Sequence, residues 1–504
     1  MNVWEAVGGG GVQAARALSA ATPTLLTGLV VAGLLSAVLG AEATRRLFGE
    51  QLRGWRSFAR AWALGMLLPV CSVGVIPVLV VLRRAGVRAG TILAFGLTAP
   101  LFNPLSVVYG LTFADPLTIL AFSLAALVVV SVISAVVDLS EDPERGADAP
   151  APPPSGGKRM IALALHAAWT LTGPGALFLA AAFVGSGLLA LFLPAGCLSG
   201  AADPADPWAP LTMALVAGPA YQGPLGVMTQ LASVLQHGNS IGAGFALLAL
   251  GAGLNLGVLG WIGWRFGVKR ALVVVGLLFA VVLLLAYGLD RPLRPSGARY
   301  GGHSHAFDEF CAPAHGAAHA WGQLTARIAP HEVGGLLLLG GLILVGLASR
   351  RREEAIEAWL ARAPASRGRL DQAIPGPVLG GISLAGIVVA SFFGCLAYFP
   401  GSELAMDELE NLNTESAGAA LAGDREAAER WIPLYREGLR RFRVGAMIRG
   451  ERLSDFERAK TEVLDHKLEA LAHVMEADDS AGARRLSMEV DRAFRRLRRA
   501  LRAR

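Results

Sequence analysis

The 504-residue chain is 54% hydrophobic and only 17% charged, with a mean hydropathy of +0.50 and a net charge of +6. A soluble globular chain carries about 25% charged residues, so the surplus apolar surface here needs lipid to face. The arginines cluster between apolar runs and in the C-terminal region, without an aromatic-interleaved basic patch, which reads as membrane topology and excludes nucleic acid as a partner. Four cysteines exclude a disulfide framework.

Residues 1–21 lack the basic start and compact apolar centre of a cleavable signal, so the first apolar run is expected to be inserted and kept. A membrane helix needs about 20 mostly apolar residues. Such runs lie near 23–41, 89–110, 115–137, 174–193, 241–264, 271–288, 332–348 and 376–398. Two further apolar stretches, 61–82 and 210–235, are interrupted by Gly and Pro. Short cytoplasmic loops carry the excess of Arg and Lys. Arg45, Arg46, Arg53, Arg56 and Arg60 therefore place the loop after the first run inside and the N-terminus outside. Arg83, Arg84 and Arg88 join them inside if 61–82 enters the membrane and returns, as its Pro69 and Gly74–Pro77 breaks suggest. Two kinked full spans are the alternative. The expected compartment is the inner membrane, crossed many times.

The two halves look related. At an offset of 152, Gly74, Val75, Leu79, Gly86, Gly90, Ala94 and Asn103 match Gly226, Val227, Leu231, Gly238, Gly242, Ala246 and Asn255. The first half starts outside and the second inside, so the repeats are expected to be inverted, with a site where they meet. The expected organisation is a first repeat over 1–137, a cytoplasmic linker over 138–160 and a second repeat over 161–290. A His-containing outside loop (291–331), two further spans (332–400) and an extramembrane helical domain (401–504) follow. The fold class is thus an all-α integral membrane protein with a core of about eight spans. In the tail, helical periodicity predicts an antiparallel pair over 453–477 and 481–503 and a further helix over 424–445.

The stretch Cys71-Ser72-Val73-Gly74-Val75-Ile76-Pro77 is followed by the turn Arg83-Arg84-Ala85-Gly86, then Ala94-Phe95-Gly96 and Pro100 to Pro104. This run of about 40 residues resembles the predicted permease family that includes the organoarsenical efflux permeases (ArsP-like, YraQ-like). The resemblance is weaker across 23–290 and does not cover 291–504. It implies a permease fold and an efflux or uptake role. The family's second cysteine is Val73 here, so the thiolate pair that suits copper(I) or a trivalent arsenical is reduced to one thiol.

The expected substrate-binding residues are Cys71, Ser72, Gly74, Pro77, Asn103, Pro104, Gln222, Gly226 and Asn255, with Tyr221 beside them. Broken helices free backbone groups at mid-membrane, and polar side chains at that depth tend to mark pathways. The competing reading of each Asn is an interhelical hydrogen bond that holds packing. In the outside loop, His303, His305, Cys311, His315 and His319 are candidate zinc or copper ligands, although their spacing fits no standard motif. His315 and His319 would share one face of a helix, and Cys197 and Cys311, both outside, could pair as a disulfide.

No Walker loop, HExxH motif or nucleophile elbow is present, so no enzyme and no resident cofactor is expected. The expected function is efflux of a small solute or a metal or metalloid species by alternating access. The alternative is a non-transporting receptor or assembly protein acting through its C-terminal domain. The expected partners are the bilayer and the solute; a homo-oligomer or a periplasmic partner for the tail fits the same reading.

Overall fold

The computed structural model describes residues 3–48, 55–68, 70–102, 106, 109–112, 114, 116–139, 154, 156–236, 238–294, 307–313, 316–328, 330–362, 399–477 and 479–502, with 378, 381–382, 385–386, 388–389, 392 and 395–396 between. All regular structure among these is helical. The chain divides into two compact units, Met1–Val388 and Val389–Arg504.

The larger unit opens with α1 (Val3–Gly33), which continues through a π-helical turn (Leu34–Leu39) into α2 (Gly40–Leu47). The expected first span, 23–41, is therefore the inner part of a 44-residue helix. Next come α3 (Trp55–Leu67), α4 (Val75–Arg84), α5 (Ala89–Leu101) and α6 (Pro116–Leu139). The second half holds α7 (Lys158–Thr172), α8 (Gly175–Phe192), α9 (Ala209–Ala217), α10 (Pro224–Gln236) and α11 (Ile241–Ala246). A second π-helical turn (Leu247–Ala252), α12 (Leu256–Phe266) and α13 (Val268–Asp290) complete it.

Among the described residues, five helices are long and apolar enough to cross a membrane alone, and the α11–α12 pair makes a sixth if it counts as one span. Helix α6 shows how they meet lipid. Phe122, Ala126, Val129 and Ile133 are buried, while Leu117, Leu120, Leu124 and Val128 form an exposed stripe at helical spacing. A helix apolar on both faces needs protein on one side and hydrocarbon on the other.

The remaining core helices are too short to span. At 13 and 10 residues, and with a rise of about 1.5 Å per residue, α3 and α4 each cover well under the roughly 30 Å of a bilayer core. Arg60 of α3 donates to the Arg46 carbonyl of α2, and α4 also packs on α2. The expected span 241–264 is also broken, with a 60° bend between 252 and 256.

Several local structures recur at the offset of 152. Gly86 ends the α4 turn at φ +82° and Gly238 ends the α10 turn at φ +66°. Only glycine holds that conformation without strain. In each turn the following amide closes the same six-residue loop: Val87 N to Leu82 O and Asn239 N to Val234 O, both 3.0 Å. Helices α6 and α13 occupy matching positions in the two halves. The two turns lie at opposite ends of α13. Ala89 and Val137 share a small cavity with Phe266 and Arg270 at its start, whereas Ser240 bonds Asp290 at its end. Helix α13 has 23 residues, about 34 Å.

Beyond the core, α14 (Ala317–Arg327) packs on α1, and α15 (Pro330–Arg350) packs on α7 and α1. A short helix, α16 (Glu353–Ala361), follows. Most of the expected span 376–398 and of the linker 138–160 lies outside the described residues.

The second unit is a four-helix assembly: α17 (Ser402–Ala422), α18 (Arg425–Ile448), α19 (Asp455–Glu476) and α20 (Ser480–Arg502). The last three match the sequence expectation, and α17 adds a fourth helix. Ser454 and Glu457 form a capping box at the start of α19. Leu409, Tyr435, Phe442, Leu464, Leu468 and Leu497 form the core. Arg436 reaches across from α18 to Asp465 at 2.7 Å and Glu469 at 3.6 Å. Burial raises the Asp465 pKa, but the Arg436 charge and hydrogen bond outweigh it and hold the carboxyl below its ordinary value. The pair therefore stabilises this unit above about pH 4 and loses that contribution as the pH falls further. Asp465→Asn is expected to weaken the unit at neutral pH by about 2 kcal/mol, because it removes the nearer of the two carboxylates that Arg436 bridges, and to flatten its acid sensitivity. Amide exchange of α18 and α19 in the full-length protein, corrected for intrinsic rates, checks this: equal protection in both proteins would refute it.

Candidate functional site

The first break follows from sequence. Helix α3 stops at Leu67, ahead of Pro69, which disfavours helix in the residue before it. The chain re-enters helix at Val75, whose amide bonds the Cys71 carbonyl at 2.9 Å. The Cys71 thiol accepts from the Gly74 amide at 3.3 Å. Pro77 sits in the first turn of α4, where its missing N–H is not needed. Cys71 and Ser72 are fully buried, and the Ser72 hydroxyl has no hydrogen-bond partner. Helix α1 closes over this loop backbone to backbone. A Cβ on Gly28 would collide with the Gly74 carbonyl, and one on Gly74 with the Thr24 carbonyl.

The second break, Gly218–Gly223, separates α9 from α10. Ser186 of α8 clamps it: the Tyr221 amide donates to the Ser186 hydroxyl at 3.0 Å, and that hydroxyl donates to the Tyr221 carbonyl at 3.1 Å. The Tyr221 ring packs edge-on against Phe183 at 5.6 Å. Its hydroxyl faces the Cys71 thiol and the Thr24 hydroxyl, without the geometry of a full hydrogen bond to either. The Gln222 Oε1 is also buried without a partner and lies 3.1 Å from where a Cβ on Gly251 would stand.

The third break is at Asn255. Sequence reading puts this residue inside a continuous span, but the structure places it at the bend, in extended backbone, capping α12. Its Oδ1 accepts from the Val258 amide at 2.9 Å, while its Nδ2 is buried with no partner. The physical reason is that three residues, Gly253 to Asn255, leave the helix together and a side-chain acceptor is needed to start the next one. The Leu256 amide bonds the Pro219 carbonyl at 3.3 Å, so the second and third breaks touch. The Leu101 side chain, at the end of α5, lies 3.6 Å from a Cβ placed on Gly253.

The structure thus brings Cys71, Gly74 and Tyr221 together and sets Gln222 and Asn255 on the adjoining breaks. Gly226, in α10, has open space around it. Asn103 and Pro104 lie outside the described residues. Thr24 and Ser186 were missed in sequence. The available signal was a hydroxyl inside an apolar run, which is common in membrane helices and singles out no partner. Ser72 Oγ, Tyr221 OH, Gln222 Oε1 and Asn255 Nδ2 are four buried groups without partners. Each costs about 1–3 kcal/mol if left that way. All four are uncharged, and the nearby thiol is the soft donor among them. Such a lining suits a polar or soft species better than a hard multivalent ion.

Residues 307–313 cross the core helices. The Ala312 amide bonds Leu193 O at 2.8 Å, Gln13 Nε2 bonds Cys311 O at 3.0 Å, and Gln230 Nε2 bonds Glu309 at 3.1 Å. Cys311 Sγ is 3.7 Å from Cys197 Sγ. Helix α14 begins at Ala317 after Gly316 at φ +83° and holds His319. His303, His305 and His315 lie outside the described residues. Among the described residues, no three His, Cys, Asp or Glu side chains cluster as metal ligands.

These features define a multi-pass helical membrane protein whose core helices are interrupted where they meet. A family profile described as "Predicted permease" (ArsP_1) matches residues 14–290. The chain belongs to that family, as its motifs suggest; the family describes a permease rather than an enzyme. No curated protein and no solved structure matches.

The double role of Asn255 can be separated by substitution. Asn255→Ser keeps a capping acceptor and is expected to leave thermal stability within about 0.5 kcal/mol, whereas Asn255→Ala is expected to lose about 1 kcal/mol. A melting curve in detergent distinguishes them, and equal losses would show that the cap contributes nothing.

Proposed function

We propose that this permease moves a small polar or soft metal or metalloid species out across the inner membrane by alternating access, with the substrate held where its broken helices converge. The observation that carries this reading is that four buried polar groups without partners, on Ser72, Tyr221, Gln222 and Asn255, all lie on the breaks. Buried polar groups in a purely structural core are almost always bonded. A receptor or assembly protein has no need of unsatisfied donors and acceptors at mid-membrane, which favours the permease over that alternative. The recurrence of turns, breaks and long helices at the offset of 152, with the two turns at opposite ends of α13, supports two inverted repeats. Cys71, Ser72, Tyr221, Gln222 and Asn255 are all buried, so the conformation described is a closed one and each face must open in turn.

Direct transport tests the reading. The full-length protein in vesicles is offered copper(I), arsenite and a trivalent organoarsenical. Wild type is expected to move at least one of them, and Cys71→Ala and Tyr221→Phe each to lose it. A substrate carried equally by all three proteins would move the site elsewhere. Transport of none of the panel by wild type would remove the soft-metal class.

The proposed orientation sets Cys197 and Cys311 outside. In cells with an oxidising exterior, the protein isolated with free thiols blocked is expected to yield a 197–311 linked peptide, with Cys71 still reduced. Quantitative alkylation of both outer cysteines would count against that orientation.

A further inference from the structure

Two aspartates stand in places their own helices disfavour. Asp138 is in the last turn of α6 and Asp290 is the last residue of α13. A carboxylate at a helix C-terminus opposes the helix dipole, so its stabilisation must come from a neighbour. In both cases that neighbour is the start of the second helix of a hairpin. Asp290 Oδ1 accepts from the Ser240 hydroxyl at 2.6 Å and from the Gly242 amide at 2.9 Å, at the start of α11. Its other oxygen accepts from Arg294 at 2.9 Å. Asp138 pairs with Arg88, just before α5, at 3.8 Å.

The partners correspond one for one at the offset of 152: Arg88 with Ser240, Gly90 with Gly242, Ser134 with Ala286, and Asp138 with Asp290. Close packing repeats with them. A Cβ on Gly90 would collide with the Ser134 carbonyl and lie 2.6 Å from Asp138 Cβ. One on Gly242 would lie 2.5 Å from the Ala286 carbonyl and 3.2 Å from Asp290 Cβ. Each aspartate therefore holds the polar turn of one hairpin, α4–α5 or α10–α11, against a membrane-length helix. The base of each hairpin is a break at the centre. The turns themselves sit at opposite ends of α13.

We infer that Asp138 and Asp290 are positioning residues that latch the two hairpin turns, one at each membrane face, so that releasing one latch opens the centre to that face alone. This rests on the alternating-access reading. Asp290 makes three short bonds, two of them to the hairpin, and Asp138 pairs with the half-exposed Arg88.

The native Cys71 reports the opening. Right-side-out and inside-out vesicles carrying the full-length protein are treated with a membrane-impermeant charged maleimide. Labelling is read by mass spectrometry on the peptide containing Cys71, so the other cysteines stay in place. Asp290→Asn is expected to speed Cys71 labelling from outside by roughly tenfold to a hundredfold and to leave the inside rate unchanged. Asp138→Asn is expected to speed it from inside only. Ser240→Ala and Arg88→Ala, which release the same latches from the opposite partner, must reproduce the face of Asp290→Asn and Asp138→Asn respectively. Unchanged labelling, exposure on the wrong face, or exposure on both faces in both members of a pair would overturn the latch. The readout needs no substrate, so it stands apart from the transport test. A transport failure leaves the labelling prediction intact, and a labelling failure leaves the permease reading intact.

Discussion

The rest of this structure depends on the need to satisfy every backbone amide and carbonyl inside hydrocarbon. A helix does this within itself, and a break does not. Wherever the core helices stop at mid-membrane, some other element must supply the missing partners. Ser186 does so for Tyr221, the Asn255 side chain does so for Val258, and Pro219 does so for Leu256. The breaks therefore gather together, because each is the most available source of hydrogen bonds for the next.

That gathering has a chemical consequence. Side chains carried on the breaks are drawn into the same small volume, and more polar groups arrive there than the breaks themselves can use. The surplus, on Ser72, Tyr221, Gln222 and Asn255, is uncharged, and Cys71 adds a thiol. Close backbone approach makes room for it: α1 presents Gly28 to the loop of Gly74, so the two chains touch where side chains would hold them apart. The charged residues of the core are placed differently. Asp138 and Asp290 sit at helix ends, where they bind the turns of the two hairpins.

The C-terminal unit obeys the opposite rules. Its helices are separated by a left-handed Gly423 cap and by a Ser454 capping box. Its apolar residues turn inward, and its arginines pair with acids across helices, as Arg436 does with Asp465 and Arg441 with Glu408. Water satisfies the outer faces, so amphipathic periodicity suffices to specify it. This is why α18, α19 and α20 could be read from their pattern, while α17, whose buried side carries Asn413 and Ser416 among alanines and whose Leu404 and Leu421 face outward, could not.

The sequence by itself determined the class of protein. Uncharged apolar runs, arginine-rich loops and the Cys71–Pro104 motif fixed a multi-pass helical permease, because hydrophobic length and charge placement are local properties. It also marked where two helices break, since Pro69 and the Gly-Pro pairs cannot continue a helix. Only the tertiary structure decided that Asn255 lies at a bend, that Tyr221 faces Cys71 across 150 positions, and that Thr24 and Ser186 belong beside them. Those facts depend on which freed backbone groups meet, and hydrogen-bond partners distant in the chain leave no periodic trace in it.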